Sequence, residues 1–276
     1  MSELAKRLAT ALVLVPPLIA LVWWGPLWSI ACVLGFFVAG GLYEMCLLGE
    51  STVGVEPSSP IIRFLPVLVG LGAYAGWIYC PAAHHLQIGF CALLSLVAIR
   101  FYSSKSVDKC AAQIAFDLLA IFYVAALVAL MVHTAGEPDG ERVGRRVVLA
   151  MLFVVWLGDS GAYFVGRAIG AHKLAPQLSP NKTIEGSLGG LVGSVGAMVG
   201  MKLLLDLPGS WLWIVVFGLV GGAIEQLGDL FESAIKRNAG VKDSGTFFPG
   251  HGGFLDRLDA ILFAAPVFSL YPWLVT

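Results

Sequence analysis

Long apolar stretches separated by short polar segments dominate the chain. A helix needs about 20 apolar residues to cross the hydrocarbon core of a bilayer. Nine stretches approach or exceed this length: 8–24, 27–48, 61–80, 83–102, 113–134, 147–166, 186–205, 211–232 and 257–275. The pattern therefore predicts an all-α, polytopic integral membrane protein with about nine transmembrane helices.

The composition points to the same class. Hydrophobic residues make up 58% of the 276 residues and charged residues only 13%, whereas a soluble domain carries roughly a quarter charged residues. The net charge of −1 gives no bulk attraction for nucleic acid, so we expect no such partner. Lys6 and Arg7 precede the first apolar stretch as in a secretory leader. Pro16-Pro17 and the next apolar run, which follows at once, favour a first span instead.

The connections between the stretches are short, and no linker marks a separate unit. We expect one integrated membrane domain, with scaffold helices and dimer and lipid contacts in residues 1–145 and the catalytic region in residues 146–276. Closely spaced glycines in the seventh stretch predict tight helix packing. They are Gly186, Gly189, Gly190, Gly193, Gly196 and Gly200.

Basic residues indicate the orientation, because loops on the cytoplasmic side are enriched in Lys and Arg. With a cytoplasmic N-terminus, four basic clusters fall on the cytoplasmic side: Lys6/Arg7, Arg100/Lys105/Lys109, Arg167/Lys173/Lys182 and Lys236/Arg237/Lys242. The exceptions are Arg142, Arg145 and Arg146, which share an outer loop with acidic residues. We therefore predict a cytoplasmic N-terminus and polar motifs that open on the cytoplasm.

Carboxylates gather where the eighth stretch ends and the ninth begins. Asp229, Ser233 and Lys236 are spaced to share one helix face, and Asp256 and Asp259 share a face at the start of the last span. Converging carboxylates repel one another unless a cation lies between them. Mg²⁺ is a hard cation that suits such oxygen ligands. The sequence thus predicts a metal site formed by Asp229, Asp256 and Asp259.

The same segment carries cations suited to phosphate oxygens: Lys236, Arg237, Lys242 and Arg257. The glycine-rich loop 249–253 leads into a helix N-terminus, a position that favours anions. Together these features predict a phosphoryl- or nucleotidyl-transfer site. Two simpler interpretations stay open: Lys236 and Arg237 as membrane anchors, and Asp256 as a helix cap.

A second polar segment spans residues 158–186. Asp159 lies within an apolar helix and should face a cavity or a cation. Ser179-Pro180 predicts a turn, and Lys182 and Thr183 are candidate phosphate ligands. In the first half of the chain, Glu44 and Asp117 are either structural, which we favour, or functional carboxylates within the membrane.

The segment 233–259 resembles the signature of the phosphatidate cytidylyltransferase family, S-x-apolar-K-R-x4-K-D, followed by H-G-G and D-R-apolar-D. Its fixed positions are Ser233, Lys236, Arg237, Lys242, Asp243, His251, Gly252, Gly253, Asp256, Arg257 and Asp259. The chain is also similar to the family at Asp159, Ala162-Tyr163, Gly166, residues 179–186 and Gly228-Asp229. The strong similarity covers roughly the last 120 residues.

The resemblance implies a nine-span homodimer of the bacterial inner membrane that makes CDP-diacylglycerol and pyrophosphate from CTP and phosphatidic acid. It implies Mg²⁺, with K⁺ as a candidate second cation, bound by Asp229, Asp256 and Asp259. The implied catalytic residues are Asp229, Lys236, Arg237, Lys242, Asp243, His251 and Arg257. The implied substrate-binding residues are Asp159, Ser179, Asn181, Lys182, Thr183, Ser233, Gly252 and Gly253.

Two other functions remain alternatives. A CTP-dependent polyprenol or lipid kinase would transfer the γ-phosphate of CTP and release CDP instead of pyrophosphate. A transporter would carry its charges near the middle of the bilayer in several helices. Here the charges of the two polar segments gather at the cytoplasmic ends of the last four spans.

Overall fold

The computed structural model describes residues 15–56, 58–104, 106–136, 143–248 and 252–275. The first helices are α1 Val15–Trp24, α2 Leu27–Val53, α3 Pro60–Tyr79, α4 His85–Ser103, α5 Val107–Ala120 and α6 Leu127–Gly136. A π-helical segment, Ile121–Ala126, joins α5 to α6, and a 3₁₀ turn, Ala82–His84, precedes α4. The remaining elements are α7 Val143–Ile169, β1 Lys173–Ala175, β2 Ser179–Thr183, α8 Ile184–Leu205, α9 Trp211–Asn238, α10 Leu255–Ser269 and α11 Tyr271–Val275.

Within the described ranges, eight helices are long and apolar enough to cross a bilayer. They match the second to ninth predicted spans, with α5 and α6 forming one span and α10 and α11 another. The all-α, polytopic membrane architecture is therefore confirmed. Of the first predicted span, 8–24, the helical part Val15–Trp24 is described, whereas residues 8–14 lie outside the described part. The first span, and with it the total of nine, therefore stays a prediction.

Helix α9 is longer than its apolar stretch. The sequence predicts a span over 211–232, but the helix continues to Asn238. Lys236 forms an ion pair with Glu232 one turn earlier, at 2.9 Å, a spacing that stabilises a helix beyond its apolar part. Gly240, with φ 75°, then ends the helix in the left-handed conformation that glycine adopts readily. This extension holds Ser233, Lys236 and Arg237 on one rigid element.

Helices α7 and α8 pack closely, as the glycine spacing predicts. A Cβ on Gly161 would lie 2.5 Å from the Gly189 carbonyl oxygen, and one on Gly193 would lie 2.3 Å from the Leu157 carbonyl oxygen. By contrast, Gly196 would meet no atom within 4 Å. The contact therefore lies in the half of α8 that follows β2, and it fixes the end of α7 beside the hairpin.

Strands β1 and β2 form an antiparallel hairpin in which Lys173 pairs with Thr183 and Ala175 with Ser179. The predicted turn at Ser179-Pro180 is wrong, because both residues lie in β2. The turn comes earlier, where the Leu178 N–H donates to the Ala175 carbonyl at 3.1 Å. Pro180 is tolerated because a two-stranded hairpin has only edge strands, where a missing N–H donor is harmless.

Helix α10 lies between two apolar clusters. Its leucines pack with residues of α2 to α6, in a cluster that includes Val38, Leu42, Val124, Leu255, Leu258 and Leu262. Its opposite side packs with α7 to α9, in a cluster that includes Val154, Met198, Phe217, Ala260, Ala264 and Phe268. The helix that carries Asp256 and Asp259 is therefore held by both halves of the chain. The predicted boundary at 145/146 stays a prediction.

Candidate functional site

The two polar segments meet at one end of the helix bundle. Successive spans run in opposite directions, so the ends of α7 and α9 and the starts of α8 and α10 lie on the same side. Lys182 of β2 forms an ion pair with Asp229 of α9. This contact joins the hairpin to the helix that carries the second motif. It brings together two residues that the sequence places in separate motifs.

Arg237 provides a second link. Its Nε donates to the Leu178 carbonyl at 3.3 Å and its Nη1 to the Val241 carbonyl at 2.9 Å. The guanidinium thereby connects the hairpin turn, the end of α9 and the segment that follows. The side chain is otherwise exposed, so its charge remains available on the surface of the site.

Four carboxylates at this end of the bundle lie within electrostatic range of one another: Asp159, Glu225, Asp229 and Asp259. Glu225 is fully buried, and both of its carboxylate oxygens lack a hydrogen-bond partner among the described residues. A buried, unpaired carboxylate is unfavourable unless it binds a proton or a cation. Among the described residues, Lys182 and Arg257 are the cations that attract the Asp159 carboxylate electrostatically.

Asp256 has different partners from the other predicted metal ligands. Lys236 Nζ lies 2.6 Å from Asp256 Oδ1. Asp256 Oδ2 accepts hydrogen bonds from the backbone N–H groups of Ser244 and Gly253, at 2.9 and 2.8 Å, and lies 2.8 Å from Ser244 Oγ. Both oxygens are engaged within the protein. Asp256 is therefore anchored to the segment before α10 and to Lys236 of α9, and its predicted metal-binding role stays a prediction.

The start of α10 is occupied by the protein's own carboxylates. The sequence predicts that this helix N-terminus binds substrate anions, but the N–H groups of Phe254 and Leu255 both donate to Glu44 of α2, each at 2.9 Å. The Gly253 N–H donates to Asp256. These donors have partners within the protein, so phosphate binding at this helix start stays a prediction.

The acidic group suits a hard cation in its chemistry, since carboxylate oxygens are the donors that Mg²⁺ prefers. The unpartnered oxygens of Glu225 and the proximity of Asp159, Asp229 and Asp259 fit such an ion. Among the described residues, however, no three acidic, histidine or cysteine side chains already surround a common point. Lys182 holds Asp229 in this arrangement.

The other predicted residues lie at various distances from this group. Thr183 is buried and accepts the Gly186 N–H at 3.1 Å, so it caps α8. Ser233 Oγ lies 3.5 Å from Asp229 Oδ1. Gly252 has φ 79°, and Gly253 is buried. Five more predicted residues are exposed or half-buried: Ser179, Asn181, Lys242, Asp243 and Arg257. His251 lies outside the described residues.

Comparison with known proteins identifies the family. The cytidylyltransferase family profile matches residues 5–275. The chain belongs to the cytidylyltransferase family. Among curated relatives, a phosphatidate cytidylyltransferase of Staphylococcus aureus strain COL is 39% identical over 218 residues, which cover 76% of this chain and 81% of the relative.

Two further relatives named phosphatidate cytidylyltransferase match over shorter stretches. One from Staphylococcus epidermidis is 43% identical over 157 residues, which cover 56% of this chain and 58% of the relative. One from Bacillus subtilis strain 168 is 44% identical over 126 residues, which cover 46% of this chain and 47% of the relative. The chain thus aligns with about half of the length of each of these two relatives.

Sequence reasoning missed part of this cytidylyltransferase site. Glu225 and Glu232 are buried carboxylates on α9 beside Asp229. A carboxylate inside an apolar helix indicates a functional or paired residue, and the sequence shows both of them there. Glu44 has the same kind of position, but its partners lie about 200 residues further along the chain. Nothing in the sequence distinguishes Ser244, because a serine in a polar loop is ordinary. It nevertheless lies 2.8 Å from both Glu44 and Asp256.

Proposed function

We propose that the protein is a CTP:phosphatidate cytidylyltransferase that transfers CMP from CTP to phosphatidic acid. The products are CDP-diacylglycerol and pyrophosphate. The observation that carries this proposal is the Lys182–Asp229 ion pair. It places the cation of one predicted motif against the acidic group of the other, as a site for two phosphorylated substrates requires. The relatives named phosphatidate cytidylyltransferase support the same reaction.

The chemistry needs positioning more than acid–base catalysis. An oxygen of the phosphatidate phosphate attacks the α-phosphorus of CTP, and the bond from the α-phosphorus to the bridging oxygen of the β-phosphate breaks. The nucleophile is already an anion, so it needs no strong general base. Lys182, Arg237, Lys242 and Arg257 supply cations that hold the two anions together and stabilise the leaving pyrophosphate.

Mg²⁺ is the proposed ion of the acidic group, with K⁺ as a candidate second cation. Asp229 and Asp259 are its proposed ligands, and Asp159 and Glu225 lie within electrostatic range of both. When bound, the ion would neutralise phosphate charge and orient the phosphates. Asp256 acts instead through Lys236, which it holds at 2.6 Å.

The proposed location is the bacterial inner membrane, with the site facing the cytoplasm. Lys182, Lys236 and Arg237 lie at the site end of the bundle, as the positive-inside rule requires. Of the exceptional basic residues at the other end, Arg142 lies outside the described residues, and the other two have structural partners. Arg145 Nη1 donates to three carbonyls around the end of α1, with a shortest distance of 2.8 Å, and Arg146 Nη1 donates to the Asp206 carbonyl at 3.1 Å. A homodimer embedded in membrane lipid is proposed from the family resemblance.

The test is product analysis of the purified protein in detergent with CTP, phosphatidate and Mg²⁺, with and without EDTA. We expect CDP-diacylglycerol and pyrophosphate in equal amounts, and neither product with EDTA. CDP together with a newly phosphorylated lipid would instead make the protein a lipid kinase. No nucleotide consumption by folded protein would contradict both enzyme functions and favour a transporter.

A matched pair of hairpin variants tests the ion pair. Lys182→Gln removes the cation that contacts Asp229 and should lower activity about 100-fold, as for other groups that stabilise charge in a transition state. Lys173→Gln changes an exposed lysine of the same hairpin and should leave activity within about twofold. Equal activity of the two variants would contradict the proposed site.

A further inference from the structure

Glu44 lies in α2, in the half of the chain without the catalytic motifs, and is 5% exposed. Its Oε1 accepts the Phe254 N–H at 2.9 Å. Its Oε2 accepts the Leu255 N–H at 2.9 Å and lies 2.8 Å from Ser244 Oγ. A buried carboxylate in a membrane helix needs such compensation. All of these partners belong to the segment that carries the family signature.

Glu44 and Asp256 together hold the first turn of α10. The amide donors at a helix start have no partners within the helix, and negative charge there is favourable. Here Glu44 binds the N–H groups of Phe254 and Leu255, and Asp256 binds that of Gly253. Ser244 lies between the two carboxylates. Its hydroxyl has one hydrogen, so it donates to one carboxylate at a time.

The glycines of the motif leave room for Glu44. A Cβ on Gly245 would lie 2.3 Å from Glu44 Oε1, and one on Gly253 would lie 2.2 Å from the same atom. Neither glycine has a positive φ. A side chain at either position would therefore displace the Glu44 carboxylate from its hydrogen bonds, and the reason is space, not an unusual backbone conformation.

We propose that Glu44 is a positioning residue of the active site: it fixes the start of α10 so that Asp256 holds Lys236 and Asp259 faces Asp229. This inference rests on the proposed function. Glu44 contacts backbone and Ser244 in the described residues and acts on the reaction only through α10. Its loss should therefore lower kcat, whereas KM for either substrate should change little.

The test variant is Glu44→Gln, which keeps the size of the side chain but turns one oxygen into an NH₂ group that cannot accept an N–H. The matched control is Glu50→Gln. Glu50 lies in the same helix and is also buried, at 6% exposure, but it pairs with Arg63 at 2.7 Å and not with the motif.

We expect Glu44→Gln to lower kcat about 30-fold, within the range caused by small displacements of catalytic groups. KM for CTP and phosphatidate should stay within about twofold of wild type, and Glu50→Gln should keep kcat within about twofold even if it melts earlier.

A double-mutant cycle separates positioning from general destabilisation. Gly245→Ala should lower kcat about tenfold in the wild type, because its methyl group collides with Glu44, and by less than about twofold in a Glu44→Ala background. Equal effects in both backgrounds would overturn the proposed contact. A Glu44→Gln kcat equal to that of Glu50→Gln would overturn the positioning role.

Hydrogen exchange provides a readout that does not depend on activity. In Glu44→Gln, the peptide covering residues 252–258 should exchange faster, because one of the two N–H groups of Phe254 and Leu255 loses its acceptor. In Glu50→Gln it should exchange as in the wild type. Unchanged exchange in Glu44→Gln would contradict the inference. If the wild type makes no CDP-diacylglycerol, the proposed function fails, whereas the exchange experiment still decides whether Glu44 holds α10.

Discussion

At the residue scale, the carboxylates of the site divide into two kinds. Asp256 forms an ion pair with Lys236 and lies within hydrogen-bond distance of three donor groups of Ser244 and Gly253. Asp159 and Asp259 have no described salt bridge, and Asp229 is held by Lys182 of the hairpin. The same residue type thus serves as a structural anchor in one case and as a candidate ion and phosphate partner in the others.

Asp256→Asn should therefore act mainly on stability. The substitution leaves Lys236, which is 10% exposed as a side chain, without its carboxylate partner on α10. Because Lys236 keeps its ion pair with Glu232, the loss is that of one charged hydrogen bond, about 2 kcal/mol of unfolding free energy. Thermal unfolding in detergent should show a clearly lower midpoint. An unchanged midpoint would contradict the anchoring role.

Asp259→Asn and Asp229→Asn should act mainly on activity. Removing a negative charge from a group of mutually repelling carboxylates does not destabilise the fold, but it removes a proposed Mg²⁺ ligand. We expect activity to fall at least about 100-fold while the midpoint of unfolding stays equal to or above that of the wild type. Near-normal turnover of either purified variant would contradict the ligand assignment.

At the element scale, the α7–α8 contact positions Asp159 and the hairpin. Gly193→Ala places a methyl group 2.3 Å from the Leu157 carbonyl, and overpacking of this kind costs about 1–3 kcal/mol. Gly196→Ala, one turn further along α8, meets no atom within 4 Å and is the matched control. Gly193→Ala should lower the unfolding midpoint and Gly196→Ala should not. Equal midpoints would contradict the close packing.

Hydropathy predicts the spans well because a bilayer requires about 20 apolar residues per helix. It does not predict where a helix ends, because paired charges such as Glu232 and Lys236 continue α9 past its apolar part. The charge-rich motifs could be located from the sequence. It could also be predicted that both motifs lie at the same end of the helix bundle. The partners of Glu44 and Asp256 could not, because they depend on packing between α2 and α10, which no local pattern records.

At the scale of the whole molecule, the hairpin and the α8–α9 connection lie at opposite ends of the bundle, so we expect them on opposite sides of the membrane. After replacement of the five native cysteines, Gln177→Cys in the hairpin turn and Ser210→Cys before α9 give exposed single thiols. A membrane-impermeant thiol reagent added to intact bacterial cells from which the outer barrier has been removed should label Ser210→Cys. It should label Gln177→Cys only after the membrane is opened. The reverse pattern would contradict the cytoplasmic site.

The central claim is transfer of the α-phosphate of CTP to a lipid at this site, and label transfer tests it most directly. The purified protein is incubated with phosphatidate, Mg²⁺ and CTP labelled with ³²P at either the α- or the γ-phosphate, and the lipid is extracted. We expect labelled lipid from α-labelled CTP and none from γ-labelled CTP, with the signal lost in Asp229→Asn. Labelled lipid from γ-labelled CTP, or full transfer by Asp229→Asn, would contradict it.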